Sequence, residues 1–141
     1  MAFDIFEGKT ISDIIILQSV RSCSPTATVG DVVTILQTYK IGAVVIVDEK
    51  KVPIGIFTER DLLTKIYAKS TASSDDLISK HMTKGPKCLK SDDRIEKAIV
   101  SMRIGGFRHI VITDSVGVLT GMLSVKDILN CIVDFISEKT A

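Results

Sequence analysis

The chain repeats itself. An offset of 66 residues lays its second half on its first, without a gap, from Thr28 to Ile66. Val29, Val32, Val33 and Leu36 fall on Ile95, Ala98, Ile99 and Met102; Val44, Val45 and Ile46 on Ile110, Val111 and Ile112. Asp48, Gly55 and Asp61 fall on Asp114, Gly121 and Asp127, and Thr58 on Ser124. Further upstream, Ile11-Ser12-Asp13 resembles Ile78-Ser79-Lys80 after a slip of one residue. Self-similarity at a fixed period means that one supersecondary unit is used more than once. A unit of about 60 residues buries too little apolar surface to be comfortable alone. Two copies can cover each other's sheets, so the repeat predicts a pseudo-twofold pair with a cleft between equivalent elements.

Each copy reads as the same succession of elements. Val29, Val32, Val33 and Leu36 recur at i, i+3, i+4 and i+7, one face of an amphipathic helix. Thr28 to Asp31 and Asp93 to Glu96 look like capping-box helix starts. The β-branched runs Ala43–Val47 and Ile110–Thr113 predict strands buried on both faces. After the turns opened by Asp48 and Asp114, second strands at Val52–Phe57 and Val118–Leu123 complete antiparallel hairpins, and a last helix begins at Thr58 or Ser124. A helix over Ile11–Leu17 is expected to pack on the second copy's sheet or on a partner chain. Another, over Asp75–Lys80, is expected to lead into the second copy. The predicted organisation is a first repeat with its N-terminal helix over 1–68, a polar linker over 69–74 and a second repeat over 75–141.

Composition narrows the function classes. The chain is 45% hydrophobic but only 5% aromatic, with no Trp, so its core is aliphatic. Eighteen basic residues stand against 17 acidic ones, so net charge gives no global pull toward nucleic acid or a membrane, and any anion site is local. Met1–Gly8 carries acids and lacks the apolar core of a signal peptide, and no apolar run approaches the roughly 18 to 20 residues that span a bilayer. Cys23, Cys88 and Cys131 are odd in number and fit no metal-ligand spacing, which points to reduced thiols and a cytoplasmic protein. Catalytic signatures are missing as well: no nucleophile elbow, no phosphate-binding loop with its Lys and no metal cluster. The expectation is a protein that is not an enzyme and has no catalytic cofactor.

Ile41-Gly42-Ala43-Val44-Val45-Ile46-Val47-Asp48 followed by Gly55-Ile56-Phe57-Thr58-Glu59-Arg60-Asp61 resembles a CBS domain, named for cystathionine β-synthase. Arg108 to Asp114 and Gly121 to Asp127 repeat the pattern. The chain as a whole is similar to a stand-alone tandem pair of such domains, a Bateman module. The resemblance implies an α+β fold of two CBS β/α repeats packed with pseudo-twofold symmetry, with small mixed sheets flanked by helices. It also implies a regulatory module that holds AMP, ADP, ATP or S-adenosylmethionine in the cleft between repeats and signals to a partner. Carried over by position, Asp61 and Asp127 would bind ribose hydroxyls. Thr58, Ser124, Arg108, His109, Arg60 and Lys126 would lie near phosphate, and the backbone at Ile41, Gly42 and Ala43 would read the adenine edge. A homodimer and a regulated enzyme or transporter are the partners the resemblance suggests.

The residue chemistry is compatible. A carboxylate can accept hydrogen bonds from both hydroxyls of a ribose. A helix N-terminus presents unpaired N–H groups to a phosphate, Arg108 offers a planar fork for its oxygens, and Gly55 and Gly121 permit close approach of backbone or ligand. Yet Thr58-x-x-Asp61 and Ser124-x-x-Asp127 are equally good helix caps, as Thr28-x-x-Asp31 is read to be. His81 reads as structural. The main competing function is a dimerisation or docking module whose ligand sites have decayed; nucleic-acid binding fits poorly with the balanced charge.

Overall fold

The computed structural model describes residues 4–15 and 19–140. The chain folds into two compact units. One is Val20–Pro86 with Gly117–Leu119; the other joins the N-terminal residues up to Ser19 to Lys87–Val116 and to the stretch from Thr120 onward. These units do not coincide with the sequence repeats, because each draws in the opening segment of the other copy.

In the unit built on the first repeat, a four-stranded mixed sheet runs in the order β1-β2-β3-β4. Strand β1 (Ser22–Cys23) lies parallel to β2 (Ala43–Val47), and β3 (Pro53–Thr58) is antiparallel both to β2 and to β4 (Thr83–Lys84). All five residues of β2 are buried, as its unbroken apolar run predicts. Helix α1 (Val29–Tyr39) starts on a closed capping box. The Asp31 amide donates to Thr28 Oγ1 at 3.1 Å, and the Thr28 amide donates to Asp31 Oδ2 at 3.0 Å. The helix stops at Lys40, whose φ of 52° puts it in the left-handed region. Val29, Val32 and Leu36 bury the predicted apolar face against Val44, Ile46 and Phe57.

Strand β3 runs into α2 (Glu59–Asp61), which continues as a π-helical stretch over Leu62–Tyr67. The polar segment that follows is docked onto the start of α1. The Val29 amide donates to the Asp76 carbonyl and the Gly30 amide to the Ser74 carbonyl, both at 2.9 Å. These carbonyls satisfy N–H groups that the first turn of a helix leaves without partners. The next helix, α3, is shorter than expected, Ile78–His81, and it does not serve the second repeat. Ile78 is fully buried in the first-repeat core, and its amide donates to the Ala27 carbonyl at 2.7 Å.

The second unit is the counterpart. Its sheet runs β5-β6-β7, with β5 (Cys88–Lys90) parallel to β6 (His109–Thr113) and β7 (Leu119–Ser124) beyond it. Helices α4 (Ile95–Gly105) and α5 (Val125–Thr140) complete it. The predicted helix over Ile11–Leu17 is a single 3-10 turn at Ile11–Asp13; Ile16 and Leu17 lie outside the described residues. Ile11 is fully buried among Ala98, Ile110, Ile112 and Leu123, so this segment does pack on the second copy, as expected. Its amide donates to the Asp93 carbonyl at 2.9 Å. The capping box expected at Asp93–Glu96 does not form. Arg94 occupies the N-cap, where its guanidinium has no acceptor to offer the helix N–H groups, and the Asp93 carboxylate is bonded instead to the Lys90 amide at 2.8 Å. That bond is also the foremost cause holding the Asp93 carboxyl below the usual aspartate range.

Strands β1, β4 and β5 have no counterpart in the sequence reading. Each is two or three residues long, too short for period-2 alternation to show.

Candidate functional site

The two candidate motifs stand where strand gives way to helix. Thr58 ends β3 and caps α2, and Ser124 ends β7 just before α5. The Thr58 amide donates to Asp61 Oδ2 at 2.9 Å and the Asp61 amide to Thr58 Oγ1 at 3.2 Å. In the second repeat the Ser124 amide donates to Asp127 Oδ2 at 2.8 Å, the Ser124 hydroxyl bonds the same oxygen at 3.0 Å, and the Asp127 amide donates to Ser124 Oγ at 3.2 Å. Both motifs are therefore helix caps in fact, and in each the cap engages a single carboxylate oxygen, Oδ2.

A second pair of equivalent bonds braces the same corners. The Glu59 amide donates to the Gly42 carbonyl, and the Val125 amide to the Arg108 carbonyl, each at 3.0 Å. The residues expected to face adenine and phosphate are thus tied through their backbones to the motif helices. For Gly42 this means its carbonyl is already engaged, and Ala43 is buried in the β2–β3 ladder opposite Thr58. Ile41 packs on the first core. Arg108, Arg60 and Lys126 are exposed, while His109 is half-buried as the first residue of β6.

The other oxygens of the two acids differ in surroundings. Asp61 Oδ1 lies 3.6 Å from the Lys65 ammonium, one helical turn on. Lys65 is itself anchored, donating to the His81 carbonyl at 2.9 Å and to Thr83 Oγ1 at 2.8 Å. Asp127 Oδ1 accepts no hydrogen bond from the described residues, and Asp127 borders a hollow of about 300 Å³ shared with Lys9, Asp13, Asn130, Cys131 and Asp134. Lys65 escaped the sequence reading, although an acid and a lysine at i, i+4 on a helix are a recognisable pair.

Three further residues have structural work. His81 Nε2 meets Asp76 Oδ2 at 2.8 Å, and that hydrogen bond, ahead of one from the Ser73 amide, holds the Asp76 carboxyl below its ordinary range. His81 is thus structural, as read. At Gly55 a Cβ would collide with the Met82 side chain, so this glycine admits a side chain of its own unit rather than backbone or ligand. Burial, aided by the Asp31 charge, raises the Cys23 thiol to about 11. Its thiolate fraction at neutral pH should then be about a hundredfold below that of an ordinary cysteine, and the thiolate is the nucleophile. Brief alkylation with iodoacetamide, read by peptide mass spectrometry, should leave Cys23 unmodified; labelling at the rate of a free cysteine would contradict this environment. Among the described residues no group of His, Cys, Asp or Glu gathers to hold a metal ion, and no helix is long and apolar enough to cross a membrane.

Repeat-related strand-to-helix corners, each closed by a hydroxyl and an acid, define a tandem β/α module. The chain belongs to the CBS domain family, whose sequence model matches residues 11–68 and again 75–134. An uncharacterised 17.7 kDa protein of Acidianus ambivalens is 31% identical over 110 residues, 78% of this chain and 65% of that protein. An uncharacterised protein of Methanopyrus kandleri is 36% identical over 107 residues, 75% of this chain and 54% of that protein. An inosine-5'-monophosphate dehydrogenase of Methanocaldococcus jannaschii is 30% identical over 118 residues, 84% of this chain but 23% of that enzyme. The matches thus span less than two thirds of each of these relatives.

Among solved structures, a CBS-domain containing protein from Agrobacterium tumefaciens superposes with a TM-score of 0.77 at 30% identity, covering 86% of this chain and 98% of that one. A CBS domain protein from Pyrobaculum aerophilum, complexed with AMP, gives 0.79 at 24% identity, covering 91% and 98%. A CBS domain pair in complex with 5'-methylthioadenosine and S-adenosyl-L-methionine gives 0.81 at 19% identity, covering 89% and 97%.

Proposed function

We propose that the chain is a regulatory module that binds an adenosyl ligand (AMP, ADP, ATP or S-adenosylmethionine) at its motif corners, with a motif aspartate taking the ribose hydroxyls and a partner reading the bound state. The observation that carries this reading is at Asp127: its Oδ2 holds the helix start in place, while Oδ1 accepts no hydrogen bond from the described residues and the residue borders a hollow. A carboxylate fixed in this way is pre-organised to receive a diol, so little ordering is needed on binding. Family membership supports the reading, as do the adenosyl compounds held by the similarly folded structures. Arg108 and His109 occur in the second repeat only, where the first has Gly42 and Ala43, so the two corners should differ in how they treat a phosphate.

Thermal melts test this directly. A ligand that binds the folded chain alone adds RT ln(1 + [L]/Kd), about 2.7 kcal/mol at a hundred times Kd. At least one of AMP, ADP, ATP and S-adenosylmethionine should raise the midpoint, and a short RNA should not. A panel without any shift would favour a docking module with decayed sites. One observation already leans that way for the first repeat, namely the lysine beside Asp61.

In either case a second copy of the chain is the proposed partner, alongside a regulated enzyme or transporter. Leu63 and Tyr67 are exposed, and so are their repeat equivalents Leu129 and Val133. Apolar groups at equivalent places on both final helices suit a self-complementary contact.

A further inference from the structure

We propose that Lys65 decides which of the two repeat-related acids can grip a ligand diol: it closes Asp61 and leaves Asp127 as the working site. This rests on the adenosyl-binding reading above and adds to it the identity of the competent corner.

An ionised aspartate accepts through two oxygens, and a vicinal diol donates two O–H groups. In both repeats the cap engages Oδ2. At Asp61 the Lys65 ammonium stands 3.6 Å from the remaining oxygen. It is not a loose surface cation. The His81 carbonyl and Thr83 Oγ1 accept hydrogen bonds from it, and the Asp61 and Lys65 side chains are 13% and 34% exposed. Solvent therefore screens the pair weakly compared with a fully exposed one. A diol arriving at Asp61 would have to displace an ammonium that other bonds fix in place, and would break its ion pair with the carboxylate.

The position equivalent to Lys65 in the second repeat is Cys131, which is neutral and lines the hollow beside Asp127. Nothing cationic then competes for Asp127 Oδ1 from the next turn of the helix. The backbone adds to the contrast. The residues after Asp61 wind as a π-helix, whereas those after Asp127 stay α-helical. Local π-winding changes the angular spacing of side chains along a helix, so the two corners differ in backbone as well as in sequence.

Calorimetry on the full chain with adenosine, AMP and S-adenosylmethionine tests the assignment, with 2',3'-dideoxyadenosine as the control that lacks the diol. The wild-type chain should bind one equivalent of at least one of the three probes, and the dideoxy compound at least tenfold more weakly than adenosine. Lys65→Met should raise the stoichiometry to two, a gain that a purely structural role for Lys65 would not produce. Cys131→Lys should abolish binding or weaken it at least tenfold while leaving the Ser124 cap untouched. Asp127→Asn should lose binding and Asp61→Asn should keep it; the reverse pattern, or a stoichiometry unchanged in Lys65→Met, would overturn the assignment while leaving the adenosyl-binding reading intact. A wild-type chain that takes up none of the three probes, nor ADP or ATP, overturns that reading and this assignment together.

Discussion

Phe57→Ala is expected to cost about 3–5 kcal/mol of folding free energy, the range for deleting a fully buried aromatic side chain. Phe57 has no exposed surface and lies in β3 opposite Val44, in one cluster with Val32, Leu36, Ile46 and Ile78. Among the described residues it is the largest fully buried side chain. The cost has two parts, the lost transfer of the ring out of water and the cavity left by neighbours that relax incompletely. These neighbours come from β2, α1 and α3, so no single element can move in to fill the gap. Urea unfolding should show a lower midpoint with an unchanged slope. A loss under 1 kcal/mol would mean that the site is less tightly packed than these contacts describe.

Ile11→Ala and Ile78→Ala are expected to destabilise by about 2–5 kcal/mol each, as large-to-small changes at buried aliphatic positions do. Both residues are fully buried. They are the slip-related pair of the repeat, yet each serves the core of the other copy: Ile11 packs with Ile110, Ile112 and Leu123, and Ile78 with Val44, Ile46 and Phe57. Hydrogen exchange distinguishes this interleaving from a simple bead arrangement. Ile11→Ala should speed exchange in β6 and α4, and Ile78→Ala in β2 and α1. If instead the Ile11 variant loosened the first-repeat strands, the assignment of the N-terminal turn to the second core would be wrong.

The contrast between these two cores and the motif corners shows what can be read from a chain of this kind. The apolar spacing of Val29, Val32 and Leu36 and the unbroken run Ala43–Val47 correctly announce α1 and β2, because burial imposes a period that survives in the residue order. Thr28-x-x-Asp31 announces its cap equally well, since the bonds involved reach only three residues along the chain. Where the deciding interaction is with distant residues, the same logic fails. Asp93 to Glu96 has the spacing of a cap, but the helix starts one residue later, after Arg94, and the Asp93 carbonyl is taken by the Ile11 amide from the N-terminal segment. The polar run after Tyr67 has the composition of a linker. Its carbonyls instead complete the first turn of α1, some forty residues earlier in the chain.

The candidate site divides along the same line. Its residues, their doubling at 66 positions and the hydroxyl-to-acid spacing are all present in the linear sequence, and so is the family they mark. What anchors Lys65, which acid borders a hollow, and which copy's core receives each opening segment were decided in three dimensions. The physical reason is range. Helical periodicity, strand burial and capping are short-range regularities fixed by backbone geometry, so they are written into neighbouring residues. The pairing of Lys65 with His81 and Thr83, and of Ile11 with β6, depends on where chain segments return in space, and no local pattern records that.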